Sequence, residues 1–244
     1  MIILQRIDGS DKSTLVREQN EETANLYGLD YRTFEKQENP VNDLKAIRDE
    51  LTRLSSRKGA KSPADEILLY LDENALICPA VGNEALAVEL LGDSFAAFSS
   101  DVGSENDRWN PGGVCASQAL FKNTKEAGDF FDDWARETSD EQVRRNDRLT
   151  IQRALNTIFP KWSGQGARIL YDYYRLAARQ GHYVRQTYID GAEKTKEAIA
   201  NLRALLPIPD VEPVQTEQAE EKPKKTAPKR TSTKKKTKEP ASDK

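Results

Sequence analysis

The chain has 244 residues, of which 32% are charged and 37% hydrophobic, and its formal net charge is −3. This length suffices for one α/β domain with a buried core, and no apolar run approaches the length of a membrane span. The single histidine excludes catalytic triads and zinc clusters built on several histidines. Two cysteines do not build a disulfide framework and suit a reducing compartment, so we expect a cytoplasmic protein with no membrane contact.

Charge is distributed unevenly along the chain. Residues 215–244 carry a net charge of +5, whereas residues 1–214 carry a net charge of −8. Residues 207–244 contain no aromatic side chain and are rich in Pro, Lys, Thr and Glu, a composition that predicts disorder. We therefore expect a folded domain at 1–206, whose acidity disfavours nonspecific DNA binding, and a disordered basic C-terminal tail at 207–244, which favours contact with nucleic acid or another acidic partner.

The chain begins with a predicted strand, Ile2–Ile7, followed by Asp8-Gly9-Ser10-Asp11-Lys12-Ser13-Thr14. This segment resembles the phosphate loop of nucleotide kinases such as thymidylate kinase, in which glycines let backbone N–H groups wrap a phosphate. Arg6 and Asp11 stand where that loop has glycines, and Asp11 would place a carboxylate against the phosphate. The other interpretation of the segment is a helix N-terminus capped by Ser10 or Asp11.

A helix at 13–27 follows, and Gly28 ends it as a C′ residue. The next elements are a strand, Leu29–Phe34, and a helix that begins at Asn39-Pro40, with Asn as the cap and Pro at the first helical position. Apolar residues recur along this second helix at helical spacing, namely Val41, Leu44, Ile47, Leu51 and Leu54. The sequence therefore predicts two strand–helix units before residue 55.

The apolar run Ile67–Leu71 is typical of a central parallel strand that is covered on both faces. Asp72, Glu73 and Asn74 end the run, and apolar character resumes at 75–78. In open α/β sheets, ligands bind at the edge where such strands end. Two hard oxygen ligands one residue apart at that edge can hold a divalent cation against a diphosphate.

The phrase Leu-Tyr-Leu-Asp-Glu-Asn-Ala, at 69–75, resembles the Asp-x-Asp strand of GT-A glycosyltransferases, which use nucleotide sugars; Asn74 replaces the second acid. Two further phrases occur in the order of that family. Trp109-Asn110-Pro111-Gly112-Gly113-Val114, which leads to Asn123-Thr124, is similar to the family's strand-loop at the sugar pocket. Asn146-Asp147-Arg148-Leu149 is similar to a family phrase that has Gln where this chain has Arg148.

The resemblance implies an α/β fold: a GT-A-like nucleotide-sugar (Rossmann-like) domain with a mostly parallel sheet. The implied reaction transfers a sugar from a nucleoside diphosphate sugar to a hydroxyl. Asp72 and Asn74 would hold Mn²⁺ or Mg²⁺ on the diphosphate, and His182 is a further candidate metal ligand.

The resemblance also assigns roles at the nucleotide and the sugar. Arg6 and Asp8, at the end of the first strand, would contact the nucleotide. Asn110 and Gly112 would line the sugar pocket, where glycine permits close backbone approach and the amide offers both donor and acceptor. Asp147 would orient the donor sugar or take the acceptor proton.

The remaining predicted elements complete the domain. Ser139-Asp140-Glu141-Gln142 is a capping box that would open a new helix after the one capped by Thr124. The other expected elements are a helix at Glu84–Leu91, a strand at Phe95–Phe98, a strand at Arg168–Leu170, a helix at Tyr171–Arg179 and a helix at Asp190–Leu206.

The sequence leaves the acceptor and two alternative functions open. DNA bearing a hydroxymethylated base, a protein or a small molecule each offers a hydroxyl, and the basic tail would concentrate the enzyme on a polyanion. One alternative function is a nucleotide kinase of the phosphate-loop type. The other is a non-catalytic GT-A relative that binds a partner through its basic tail.

Overall fold

The computed structural model of the chain describes residues 1–55, 66–100, 114–145, 149–170, 177–178, 183–187 and 191–207. The helices in these ranges are α1 Asp11–Leu26, α2 Pro40–Ser55, α3 Glu84–Leu91, α4 Lys125–Arg145, α5 Thr150–Ser163 and α6 Ala192–Arg203. The strands are β1 Ile2–Ile7, β2 Asp30–Glu35, β3 Ile67–Leu71, β4 Ala75–Ile77, β5 Ala96–Ser100, β6 Val114–Lys122, β7 Ala167–Leu170, β8 Ala177–Ala178 and β9 Val184–Gln186. The predicted tail lies outside the described residues from 208 onward.

The two predicted strand–helix units at the start of the chain are confirmed. Ser10 caps α1, because its hydroxyl accepts a hydrogen bond from Ser13 N at 3.2 Å. Asn39 caps α2 in the same way, with Val41 N donating to its side-chain oxygen at 3.0 Å. Gly28 follows α1 with φ +66°, a conformation that favours glycine at this position.

Six strands form the main sheet in the order β2-β1-β3-β6-β5-β7. β1 pairs in parallel with β2 and with β3, and β5 pairs in parallel with β7. β6 runs antiparallel to both of its neighbours, β3 and β5. The sheet is therefore mostly parallel, and the carboxyl ends of β1, β2, β3, β5 and β7 lie at one edge together with the start of β6.

The predicted central strand is confirmed: every residue of β3 is buried. Its side chains alternate between two apolar cores, one on each face of the sheet. Leu68 and Tyr70 pack with residues of α2, α4 and α5, whereas Leu69 and Leu71 pack with residues of α1 and α3. Helices on both faces therefore enclose the sheet, which gives the three-layer α/β arrangement.

A second, three-stranded sheet has the order β4-β9-β8. β4 begins immediately after Asn74, and its Leu76 packs with Val16 of α1 and with Ile199 and Leu202 of α6. The turn at residues 72–74 therefore joins the main sheet to the second sheet.

Two expected helix boundaries are wrong. The predicted capping box at Ser139–Gln142 lies inside α4, which continues to Arg145. Buried positions recur at helical spacing through this region, at Phe131, Trp134, Thr138 and Glu141, so one helix keeps a single buried side. The helix predicted at Tyr171–Arg179 is wrong at its end, because β8 pairs in parallel with β9 there and tertiary pairing outweighs alanine's helix propensity.

Among the described residues, no helix combines the length and the apolar character that a bilayer crossing requires.

Candidate functional site

The polar turn Asp72-Glu73-Asn74 lies at the carboxyl end of β3, between β1 and β6. Asp72 N donates to the carbonyl of Ser117 on β6 at 2.7 Å. The carbonyl of Asp72 accepts from the side-chain amide of Gln5 on β1 at 3.0 Å. Both backbone groups of Asp72 are therefore fixed by the strands on either side, which sets the direction of its side chain.

A buried polar network supports this turn from beneath, and sequence reasoning missed it. The Gln5 side-chain oxygen accepts from Asn20 Nδ2 at 2.9 Å and from the Tyr31 hydroxyl. Asn20 in turn donates to the carbonyl of Ala75 at 2.7 Å and accepts from Ile77 N at 2.9 Å. The signal available in the sequence is a glutamine inside an apolar strand, since a buried amide needs partners.

Asn74 is fixed by the second sheet. Its backbone N–H donates to Asp72 Oδ1 at 2.9 Å. Its carbonyl accepts from both the N–H and the hydroxyl of Thr187, at 2.9 and 2.7 Å. The Lys12 ammonium of α1 donates to the carbonyl of Thr187. The turn is thus connected through Thr187 to the first helix.

Arg6 lies at the end of β1 and faces the turn. Its Nε and Nη2 donate to Glu73 Oε2 at 2.9 and 2.7 Å, and its Nη1 donates to Asp43 Oδ2 at 3.2 Å. Lys36, which follows β2, places its ammonium 3.6 Å from Glu73 Oε1. Three carboxylates, of Asp43, Asp72 and Glu73, therefore surround a site whose fixed positive charge comes mainly from Arg6.

Burial raises the pKa of Asp72 to about 6, and the negative charge of Glu73 contributes to the rise. The positive charge of Arg6 and hydrogen bonds from Asn74 N–H and the Ser117 side chain act in the opposite direction. Burial likewise raises the pKa of Asp43, although Arg6 opposes that shift. The raised pKa values therefore reflect mainly the burial of the two carboxylates, which the charge of Arg6 offsets only in part.

Asp8 is exposed and closes a local loop at the end of β1. Its Oδ1 accepts from the backbone N–H of Ser10 at 3.0 Å and from the Ser10 hydroxyl at 2.7 Å. Gly9 between them has φ +74°. Partial burial opposes a fall in the pKa of Asp8, but the bonds from Ser10 and the charge of Lys36 lower it. A side-chain carboxylate thus uses an N–H group that a phosphate loop would offer to its ligand.

The structure brings together three of the predicted site residues, Arg6, Asp72 and Asn74, and places Asp8 two residues beyond Arg6. The other predicted site residues, Asn110, Gly112, Asp147 and His182, lie outside the described residues. In the part of the chain that is described, no group of three or more His, Cys, Asp or Glu side chains is arranged to hold a metal ion. Of the predicted metal ligands, the Asp72 carboxylate and the Asn74 amide lie in the described part, and the metal site stays a prediction.

A cavity of about 330 Å³ lies elsewhere, between β2 and α2. Its lining includes none of the predicted site residues and consists of Leu4, Arg32, Thr33, Phe34, Ala46, Asp49, Glu50 and Arg53.

The structure is similar to that of a glycosyltransferase involved in the glycosylation of the major capsid of PBCV-1. The TM-score is 0.57 at 12% sequence identity, and the match covers 82% of this chain and 98% of that chain. The fold is GT-A-like. The predicted fold class is therefore confirmed for the described part of the chain.

Two further structures are less similar to that of this chain. Mouse xyloside xylosyltransferase 1 matches with a TM-score of 0.39 and 8% identity over 73% of this chain and 88% of that one. A197 from STIV matches with a TM-score of 0.35 and 11% identity over 54% of this chain and 66% of that one. No protein-family model and no curated protein matches the sequence.

Proposed function

We propose that the protein is a glycosyltransferase that moves a sugar from a nucleoside diphosphate sugar to a hydroxyl. One observation carries the proposal: Asp72 and Asn74 end the central strand of a fold that matches a glycosyltransferase over 82% of this chain. That edge of an open α/β sheet is where ligands bind. The backbone of the turn is fixed from β1, from β6 and from Thr187 after β9, and such preorganisation is typical of a binding site.

A divalent cation fits the chemistry of this turn. The Asp72 carboxylate and the Asn74 side-chain amide offer two hard oxygen atoms one residue apart, at the sheet edge where the diphosphate would bind. Asp72 and Asn74 would hold Mn²⁺ or Mg²⁺, with His182 as a third candidate ligand. When bound, the ion supplies positive charge that neutralises the diphosphate leaving group.

The chain's own residues bind and orient the two substrates. A guanidinium has five N–H groups. Among the described residues, three of those of Arg6 donate to Glu73 and Asp43, and we assign the other two to the nucleotide. Asp8 is exposed beside Arg6 and offers an acceptor to the nucleotide. Asn110 and Gly112 are assigned to the sugar pocket. Asp147 is assigned to orienting the donor sugar or accepting the proton of the attacking hydroxyl.

The acceptor class stays open between a protein, a small molecule and a modified base in DNA. The similar viral enzyme is involved in the glycosylation of a capsid, which suggests a protein acceptor for this chain. The basic stretch Lys222–Lys238, which has nine basic residues and no acidic one, suggests a polyanion instead. Deleting residues 207–244 separates these possibilities. A DNA acceptor predicts weaker, less salt-dependent DNA binding with unchanged donor hydrolysis, whereas a protein acceptor predicts unchanged transfer.

The kinase alternative has less support from the loop after β1. The Asp8 carboxylate occupies the N–H of Ser10, and the Lys12 ammonium is bonded to the carbonyl of Thr187. A phosphate loop needs both groups directed at the phosphates.

The deciding experiment measures which nucleotide stabilises the protein against thermal unfolding. We expect UDP- or GDP-sugars with Mn²⁺ to raise the melting temperature of the wild type and to leave that of Asp72→Ala unchanged. Asp49→Ala, which removes an exposed carboxylate of α2, is the matched control and should respond as the wild type does. A shift with ATP and Mg²⁺ alone would establish the kinase alternative. No shift with any nucleotide would contradict both enzymatic functions and favour the non-catalytic binding protein.

A further inference from the structure

Glu73 stands between the two candidate metal ligands, and its own side chain points away from solvent. Only 12% of that side chain is exposed. Two N–H groups of Arg6 converge on Glu73 Oε2, and the Lys36 ammonium lies 3.6 Å from Oε1. Both carboxylate oxygens of Glu73 therefore face cations of the same protein.

Arg6 is itself held in place by α2. Its Nη1 donates to Asp43, whose side chain is only 2% exposed. The other oxygen of Asp43 accepts from Gln37 N at 2.9 Å. Lys36 N donates to the carbonyl of Ile7 at 2.7 Å, which fixes the backbone from which the second cation extends. The partners of Glu73 are thus anchored to the ends of β1 and β2 and to the first turn of α2.

We propose that Glu73 is a positioning residue, which through Arg6 and Lys36 holds the turn in the conformation in which Asp72 and Asn74 receive the donor diphosphate. This inference rests on the proposed function of the same turn. Glu73 does not contact the donor; it acts through the backbone that it shares with its two neighbours.

The geometry explains why an acid is needed at this position. The guanidinium binds Glu73 and Asp43 at once because its N–H groups lie in a rigid planar fork, and a charge-assisted bond of this kind is directional. Without the carboxylate of Glu73, the turn keeps its backbone bonds to Gln5, Ser117 and Thr187 but loses the restraint on its middle residue. A turn that is correctly arranged for only part of the time binds its ligand more weakly in proportion.

The test compares donor binding and turnover in Glu73→Gln and in the wild type. Glutamine keeps the size of the side chain and removes its charge. We expect the KM for the nucleotide sugar to rise about tenfold and kcat to change less than about twofold, because the bound donor restores the turn. The Kd of the donor, measured by calorimetry without acceptor, should rise by the same factor. An unchanged KM and Kd would overturn the proposal.

Arg6→Lys provides a second, independent variant. A lysine has one nitrogen and cannot bind Glu73 and Asp43 in the arrangement of the fork. We expect the KM to rise in this variant also, and the combined effect with Glu73→Gln to be smaller than the product of the two single effects, because both changes break the bonds between Arg6 and Glu73, whereas only Glu73→Gln also weakens the pair with Lys36. If the two effects on the KM multiply in the double variant, the residues act separately and the proposal fails.

Glu50→Gln is the matched control. Glu50 pairs with Arg32 and so links the same helix α2 to the strand β2, but it lies in the cavity region away from the turn. It should lower the melting temperature without changing the KM for the donor. A KM raised as much as in Glu73→Gln would show general destabilisation and overturn the proposal. If the wild type binds no nucleotide sugar at all, the proposed function has failed and not this assignment alone.

Discussion

The loop after β1 and the turn after β3 end neighbouring parallel strands at the same edge of the sheet, and both are short and polar. Their hydrogen bonds differ in range. The loop of Asp8, Gly9 and Ser10 is exposed, and within the described part of the chain the bonds of Asp8 reach only to Ser10 and Ser13. The turn at 72–74 is bonded to Gln5 and Arg6 of β1, to Ser117 of β6 and to Thr187 after β9, which are three different segments. The conformation of the loop thus depends on its own residues, whereas three distant segments fix that of the turn.

The largest expected effect comes from removing the candidate metal ligand while the backbone bonds to the neighbouring strands stay. Asp72→Ala keeps the backbone bonds to Ser117 and Gln5, and removes the carboxylate together with the acceptor of the Asn74 N–H. We expect the affinity for a nucleotide sugar to fall by about 100-fold or more, on the scale of losing an essential charged contact, while the melting temperature does not fall. Wild-type transfer by this variant would show that the site is assigned to the wrong residue.

The pH dependence of stability distinguishes the turn from the loop after β1, because the turn holds a buried carboxylate whose pKa is raised to about 6. Between pH 3.8, which is the ordinary pKa of the group, and about pH 6, the Asp72 carboxyl keeps its proton in the folded state and has lost it in the unfolded state. The contribution of Asp72 to stability is thus greatest below pH 3.8 and is lost as the pH rises through 6. Asp72→Asn should match the wild type near pH 4 and be more stable at pH 7.5, by about 1–3 kcal/mol. Denaturant unfolding of the wild type and of Asp72→Asn at the two pH values measures their difference in stability. An equal difference at pH 4 and at pH 7.5 would contradict the raised pKa of Asp72.

Disrupting the buried hydrogen-bond network of Gln5, Asn20 and Tyr31 should destabilise the turn at 72–74. Gln5→Met fills a similar volume but leaves the carbonyl of Asp72 and the Tyr31 hydroxyl with poorer partners. We expect the free energy of unfolding to fall by about 2 kcal/mol and the donor affinity to fall with it. Gln165→Met, at an exposed position, is the control and should change stability by less than about 0.5 kcal/mol. Equal stability of the two variants would mean that the network does not support the turn.

The local loop should respond on stability alone. Ser10→Ala removes the cap of α1 and the partner of Asp8. The expected loss is about 1 kcal/mol of unfolding free energy, the usual contribution of such a cap. The KM for the nucleotide sugar should not change, because the backbone N–H of Ser10 still holds the Asp8 carboxylate at the end of β1. A raised KM would show that the Ser10 hydroxyl is needed to place Asp8 at the nucleotide, and would remove the distinction between the two regions.

The smallest expected effect tests the residue that departs from the Asp-x-Asp pattern. Asn74→Asp replaces a neutral oxygen with a charged one, and we expect Mn²⁺ to bind several-fold more tightly, on the order of 1 kcal/mol. Calorimetric titration with Mn²⁺ measures this. Unchanged metal affinity would show that the Asn74 side chain does not point at the metal.

The elements that sequence patterns predicted correctly are those whose own residue types determine their structure. Ile67–Leu71 is an uninterrupted apolar run, and Asn39-Pro40 is a helix start by its residue types alone; both are confirmed. The capping box at Ser139 has an equally good local pattern, but burial of Thr138 and Glu141 keeps α4 continuous. At the site, the polar end of β3 was visible in the sequence. The roles of Gln5, Asn20 and Thr187 were not, because each depends on a partner that folding brings from a distant segment.

The bond between Asn74 and Thr187 also bears on the order in which the molecule is made. The two residues are 113 positions apart, and closing so long a loop has a larger entropy cost than pairing β1, β2 and β3, which all lie before residue 72. During synthesis, residues 72–74 emerge long before Thr187, whose bonds fix Asn74. A nascent chain that has not reached residue 187 carries Asp72, Glu73 and Asn74 but lacks the strand that fixes the last of them. On the proposed function, the donor site is therefore completed only once residue 187 has been synthesised, after the first part of the sheet has formed.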